Sequence, residues 1–215
     1  TSIVGNISMA KMYVDQRSIA YERLVNAETA SRRATDLPYQ LLTFSKGGVP
    51  VKTTTSIVDS TRESAGFTLS GTAVASEFVI DEGIWSVDID AGQISQVFNN
   101  LIINAVQAMP NGGRIIFTLG NIVLGDHEVP SLKEGAYVRI SVRDTGSGIS
   151  AENLPMIFDP YFTTKQQGSG LGLSSAYSVI KKHDGHITVE STPGQGTTFH
   201  IYLPASRVKS VSRPS

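Results

Sequence analysis

Asp144-Thr145-Gly146-Ser147-Gly148-Ile149 sets one carboxylate at the end of a predicted strand and follows it with two glycines. A carboxylate held there accepts a hydrogen bond from an exocyclic amine such as that of adenine, where guanine presents a carbonyl instead. Glycines beside it let backbone approach a flat ring closely. The same letters also suit a plain strand-to-helix turn. Upstream, Asn99-Asn100-Leu101-Ile102-Ile103-Asn104-Ala105 stacks Asn100 and Asn104 on one face of a predicted helix. One reading is a solvated helix face. The other starts from the apolar neighbours of Asn104: its amide oxygen is a hard ligand suited to Mg²⁺.

A third stretch runs Phe158-Asp159-Pro160-Tyr161-Phe162-Thr163-Thr164-Lys165 and leads into Gly168-Ser169-Gly170-Leu171-Gly172-Leu173. Its aromatics could be core and its glycines a bare loop. The order favours phosphate: hydroxyls and a lysine, alternating glycines, then a helix start whose free amides and dipole attract an anion. It is neither a Walker loop nor a dinucleotide fingerprint, because neither spacing occurs. The fourth stretch, Gly194-Gln195-Gly196-Thr197-Thr198-Phe199, reads alone as a hairpin turn.

Two kinds of element must position these residues. From Ser18 to about Ser45, Ala20, Ala27, Ala34 and Leu41 recur every seventh residue, and Ala30, Leu37 and Phe44 form an interleaved row. Such a seam asks for helical partners rather than a sheet. Ile3 to Asp15 reads as a second, antiparallel helix joined through Asp15-Gln16-Arg17, and Pro38 is expected to bend the longer one. Lys46-Gly47-Gly48-Val49-Pro50 then marks a hinge.

Beyond it, helices are expected over Ile57–Ala65, Ala91–Met109, Ala151–Ile157 and Gly172–Lys182, with strands over Thr72–Ile80, Trp85–Ile89, Arg114–Leu119, Tyr137–Arg143, His186–Glu190 and Thr197–Leu203. The fold class is α+β: a two-helix hairpin over residues 1–48, an α/β sandwich over 49–206 with helices on one face of a mixed sheet, and a polar tail over 207–215.

The 18 basic and 19 acidic residues nearly cancel, so nucleic acid is not the expected partner. With no cysteine there are no disulfides and no thiolate metal sites. No apolar run is long enough to cross a bilayer, and Thr1-Ser2-Ile3-Val4-Gly5 is unlike a signal peptide. The expected location is the cytoplasm, and any membrane anchor of a longer parent protein lies outside this sequence.

Taken in order, the four stretches resemble the N, G1, F, G2 and G3 boxes of sensor histidine kinases, members of the superfamily that includes gyrase, the ninety-kilodalton heat-shock chaperone and the MutL repair proteins. The resemblance implies a Bergerat-fold catalytic and ATP-binding domain over 49–206, preceded by part of the dimerisation and histidine-phosphotransfer hairpin. It implies ATP and Mg²⁺ as cofactors, with Asn104 as the metal ligand, Asn100 one turn before it, and Asp144 on adenine. Gly146, Gly148 and Ile149 fall in G1, and Phe158 and Phe162 in the F box on a mobile lid. Thr163, Thr164, Lys165, Gly168, Ser169, Gly170, Leu171, Gly172 and Leu173 fall in the phosphate-contacting region, and Thr197 in G3.

The superfamily's ATPases carry a glutamate at the position of Asn100, where it activates water. An amide cannot take that proton, which favours transfer to a protein acceptor, with Asn100 and Lys165 as the catalytic candidates. The acceptor histidine of the family lies in the first stalk helix. The four histidines here, His127, His183, His186 and His200, all follow the hinge, so the acceptor is expected upstream of Thr1 and the chain alone is not expected to phosphorylate itself. His183-Asp184 is read as a helix end, with the imidazolium complementing the dipole and Gly185 ending the helix. The resemblance further implies a homodimer through the stalk and a response-regulator receiver domain as phosphate acceptor. A degenerate nucleotide-binding regulatory module and a serine kinase of the anti-sigma-factor type are the competing readings.

Overall fold

The computed structural model describes residues 6–7, 9–11, 13–15, 18–21, 23–25, 48–126, 128–129, 131–165 and 168–206. The chain divides into two compact units, Thr1–Gly48 and Val49–Ser215. In the first, residues 6–7, 9–11, 19–21 and 23–25 are helical. Ser18 caps the later helical stretch: its Oγ accepts the amide of Tyr21 at 3.1 Å. The heptad positions from Ala27 onward and Pro38 lie outside the described residues, as does the tail from 207. Among the described residues, no helix is long and apolar enough to cross a membrane.

The second unit is a five-stranded sheet carrying three helices. Its elements in chain order are β1 (Thr53–Thr55), α1 (Ile57–Leu69), β2 (Val74–Ile80), β3 (Val87–Ile89), α2 (Ala91–Ala108), β4 (Gly113–Leu124), β5 (Gly135–Asp144), α3 (Gly172–Lys182), β6 (His186–Thr192) and β7 (Gly196–Pro204). The large sheet has the order β2-β4-β5-β7-β6, and β1 and β3 form a separate pair. Only β2 and β4 pair in parallel within it, so the sheet is mixed. Alternate residues Ile115, Phe117 and Leu119 of β4, Val138, Ile140 and Val142 of β5, and Phe199, Ile201 and Leu203 of β7 are buried on one face. That period of two matches the pleat.

Helix α2 lies between α1 and α3 and carries the centre of the core. Ile94, Val97, Phe98, Leu101, Ile102 and Ala105 are buried at helical spacing. Burying each large aliphatic or aromatic side chain stabilises the fold by roughly 1.5–3 kcal/mol. Asp90 starts the helix, its Oδ1 accepting the amide of Gln93 at 3.1 Å; Pro110 and the glycines beyond it stop it. The polar stripe beside this apolar face is thereby aimed at α3.

Three expectations change. The segment Ala151–Ile157 forms turns and only a short 3₁₀ element, Leu154–Met156. Pro155 removes an amide donor at its start, and within the element nothing is buried, so neither backbone nor core supports a longer helix. Strand β4 runs on to Leu124 because Gly120 to Leu124 pair with Arg139 to Gly135 of β5.

His183, expected as a cation, is 2% exposed and held neutral. Its Nδ1 lies 2.8 Å from the carbonyl of Val179, and its Nε2 accepts the amide of Asp90 at 3.0 Å, so only the Nδ1–H tautomer satisfies both. Burial lowers its pKa below 6.5, aided by Lys52 and opposed by the Val179 bond and by Asp90 and Asp184. Asp184, not Gly185, takes the left-handed turn at φ 58°. Gly185 is needed for a different reason: a Cβ there would lie 2.5 Å from the Tyr202 carbonyl oxygen.

A histidine whose folded pKa is depressed leaves the unfolded chain binding more protons below its ordinary value, so stability falls as pH drops below about 6.5. His186, lowered by burial and by Lys181, adds to the same trend. The melting temperature is expected to fall between pH 7.5 and 5. His183→Gln should flatten that slope while lowering stability throughout; an unchanged slope would remove His183 as its source.

Candidate nucleotide-binding site

Asp144 is the last residue of β5 and is 4% exposed. Its Oδ1 accepts the amides of Gly146 at 2.8 Å and Thr197 at 3.2 Å. Its Oδ2 has no protein hydrogen bond among the described residues. Burial pushes this carboxyl above its ordinary 3.8, while the amides of Gly146 and Thr197 and the charge of Lys165 pull the other way. One oxygen is thus fixed by the fold and the other is left free to accept a donor.

The loop after Asp144 is bound on two sides. The amide of Ser147 donates to the carbonyl of Ala108 at the end of α2, and that of Gly194 donates to the carbonyl of Ser147. Gly146 fits because a Cβ would lie 2.7 Å from the Cβ of Ala108. Ile149 donates its amide to Ser191 Oγ at 2.8 Å, and Ser191 Oγ lies 2.9 Å from Thr197 Oγ1. The glycine loop, the end of α2 and the β6–β7 turn therefore form one wall around Asp144.

A second set of side chains comes from α2 and the segment before α3. Gln96, Asn100, Asn104 and Gln107 follow one another along one side of α2 at spacings of four, four and three. Gln96 Nε2 donates to Ser175 Oγ at 3.2 Å, and Asn100 Nδ2 donates to the carbonyl of Gly172 at 3.0 Å. Lys165 Nζ donates to Asn104 Oδ1 at 3.1 Å and to Gln107 Oε1 at 2.7 Å. Helix α3 opens at Gly172 with no side chain capping it, which leaves its first amides to an anion.

Phe158 packs on Tyr177 at 5.3 Å between ring centres and edge-on to Phe199 at 6.4 Å. Phe162 is half-buried against the core. Thr163 Oγ1 accepts the amide of Lys165 at 3.1 Å, and Thr164 is exposed. Ser169 Oγ accepts the amide of Leu171 at 3.4 Å, Leu171 is buried, and Leu173 packs partly buried on the core. Gly170, at φ 68°, receives the amide of Tyr161 on its carbonyl at 3.0 Å and folds the segment back on itself.

The residue types suit a magnesium nucleotide. Asp144 keeps a free acceptor at the base of a glycine-lined wall, and the helix start and Lys165 offer positive charge on the other side. Among the described residues no cluster of His, Cys, Asp or Glu could hold a metal ion. The amide oxygen of Asn104, a hard ligand, already faces one cation, the Lys165 ammonium at 3.1 Å.

Residues 89–207 match the family described as histidine kinase-, DNA gyrase B-, and HSP90-like ATPase, more than half of the chain. The chain belongs to that family. Sensor kinase CckA of Brucella abortus (strain 2308) is 38% identical over 192 residues, which is 86% of this chain and 20% of CckA. The chain therefore spans about a fifth of that relative's length. The catalytic domain of histidine kinase ThkA superposes with a TM-score of 0.58 at 30% identity, covering 72% of this chain and 95% of that domain. ThkA in complex with response regulator protein TrrA gives a TM-score of 0.67 at 25% identity, over 95% of this chain and 57% of that one. The second unit is accordingly an ATP-binding catalytic domain of the sensor histidine kinase type.

Of the residues the sequence motifs single out, the structure joins Asp144 to Thr197 by one hydrogen bond and Asn104 to Lys165 by another, and sets the Asn100 amide on the Gly172 carbonyl. Gln96 and Gln107 escaped notice. Their spacing from Asn100 and Asn104 was the available signal, since all four share a helix face.

Proposed function

We propose that this chain supplies the ATP-binding catalytic region of a two-component sensor histidine kinase, passing the γ-phosphate of ATP to a histidine and thence to a response-regulator aspartate. The observation that carries the reading is Asp144: a carboxylate 4% exposed, with one oxygen fixed by two backbone amides and the other free. Such an acceptor selects an exocyclic amine, hence adenine over guanine. Gly146, Gly148 and Ile149 hold the wall beside the base. Lys165, Ser169, Gly170 and the uncapped start of α3 at Gly172 serve the phosphates, and Asn104 would hold Mg²⁺. That ion, when bound, neutralises charge on the phosphate oxygens.

Transfer rather than hydrolysis is supported at Asn100. Its amide nitrogen donates to the Gly172 carbonyl, a bond that a glutamate in that place could not make, and an amide cannot deprotonate water. The acceptor histidine is proposed to lie on a helical segment outside this sequence. His183 has both ring nitrogens engaged in the core, His186 lies beside Lys181 at 3.1 Å, and His200 beside Ser141 at 2.8 Å. Homodimerisation through residues 1–48 and a cytoplasmic location complete the proposal.

Incubation with Mg²⁺, γ-labelled ATP and a separate helical hairpin bearing a histidine beside an acidic residue tests it. The product expected is acid-labile and alkali-stable, as phosphohistidine is. Acid-stable label would indicate a serine kinase instead, and ATP binding without any transfer a regulatory module. Asn104→Ala is expected to remove the Mg²⁺-dependent part of ATP affinity, about tenfold to a hundredfold for one ligand to a charged centre, while metal-free binding persists. Titration with and without Mg²⁺ checks it.

A further inference from the structure

We propose that Gln107 is the positioning residue for Lys165, holding its ammonium beside the phosphates both before and after a metal ion takes Asn104. This rests on the ATP-binding reading above. Lys165 is distant in sequence from α2, yet its Nζ makes the shorter of its two bonds to Gln107, 2.7 Å against 3.1 Å to Asn104. An ammonium has three donors. Gln107 and Asn104 use two of them and leave one for a phosphate oxygen.

The two amides are not equivalent partners. Asn104 would hold a divalent ion through Oδ1, and the charge of that ion would oppose an ammonium on the same oxygen. Gln107 lies three residues on, about one helical turn, and can keep its hold. Being neutral, it restrains the ammonium without cancelling the charge that attracts phosphate. Among the described residues, Asp144 is the carboxylate whose charge acts on Lys165, and no hydrogen bond joins the two. The restraint on Lys165 therefore comes from the amides, and of the two Gln107 is the one with no metal to hold.

Gln107 is exposed, so substitution there leaves the core intact. Two measurements on the full chain test the role. The first is calorimetric affinity for a non-hydrolysable ATP analogue and for AMP, with Mg²⁺, in wild type, Gln107→Leu, Lys165→Met and the double variant. Gln107→Leu is expected to lower the ATP-analogue to AMP affinity ratio about fivefold to tenfold, less than the full loss of a bond to a charged group because the ammonium remains and only its placement is loosened, and to add little to Lys165→Met. The second is acylation of Lys165 in the nucleotide-free chain, read by mass spectrometry. Lys165 should react faster in Gln107→Leu and remain protected in Gln107→Glu, which restores an acceptor.

If Lys165→Met lowers the ratio while Gln107→Leu changes neither ratio nor reactivity, the positioning role is overturned and the ATP site stands. If wild type binds neither nucleotide, the ATP reading itself is overturned, and the acylation rates still decide whether Gln107 holds Lys165.

Discussion

Asp144→Asn is expected to abolish discrimination for adenine while leaving the fold as stable as before or more so. Asparagine retains an oxygen for the amides of Gly146 and Thr197, so the wall around the site survives. In place of the free Oδ2 it presents an NH₂ group, and a donor then faces the donor of adenine. The lost bond to a charged acceptor is worth ~1.5–3 kcal/mol, about tenfold to a hundredfold in affinity. Stability moves the other way because the carboxyl pKa is raised by burial. For a carboxyl with a raised folded pKa, the associated stability is present below the unfolded value and lost as pH rises through the folded one. At neutral pH the ionised group therefore opposes folding, and its removal does not. Thermal melting and nucleotide titration of one preparation check both halves; a collapse in melting temperature would make Asp144 structural instead.

Gly148→Ala is the second large effect, and here the fold should suffer. Gly148 sits at φ 71°, and a Cβ on it would overlap the carbonyl group of Thr192, which is backbone and cannot swing away. The left-handed conformation costs an alanine about 1–2 kcal/mol, and relieving the overlap costs about 1–3 more. For a domain of this size, that total of about 2–5 kcal/mol lowers the melting temperature by roughly 5–15 °C. The displaced turn is the one that brings Thr197 to Asp144, so nucleotide affinity should fall with stability. Gly194→Ala gives the control: its φ of 78° is similar, but nothing lies within 4 Å of the added carbon. Strain alone would make the two variants equal; the close approach predicts that Gly148→Ala is distinctly worse.

Much of the candidate site was legible because its parts are local. Asp144 and its glycines, or Asn100 and Asn104 on one helix, are written within a few residues, and α2 announces itself through Ile94, Val97, Phe98, Leu101, Ile102 and Ala105. What escaped notice depends on partners remote in the chain. Gln107 gains its meaning only from Lys165, and His183 only from Asp90, which lies 93 residues away. His183 misled because a basic residue in a last turn ordinarily faces solvent and the dipole, whereas here the Asp90 amide requires an unprotonated nitrogen. The strand expected over Arg114–Leu119 runs further because β5 continues opposite Gly120 to Leu124.

Calorimetric titration of the chain with non-hydrolysable ATP and GTP analogues, each with and without Mg²⁺, decides whether Asp144 and Asn104 build an adenine-selective nucleotide site. The expected result is binding of the ATP analogue, strengthened by Mg²⁺, and at least about tenfold weaker binding of the GTP analogue, the cost of facing a carbonyl against a carboxylate. Equal affinity for the two bases, or no binding of either, would contradict it.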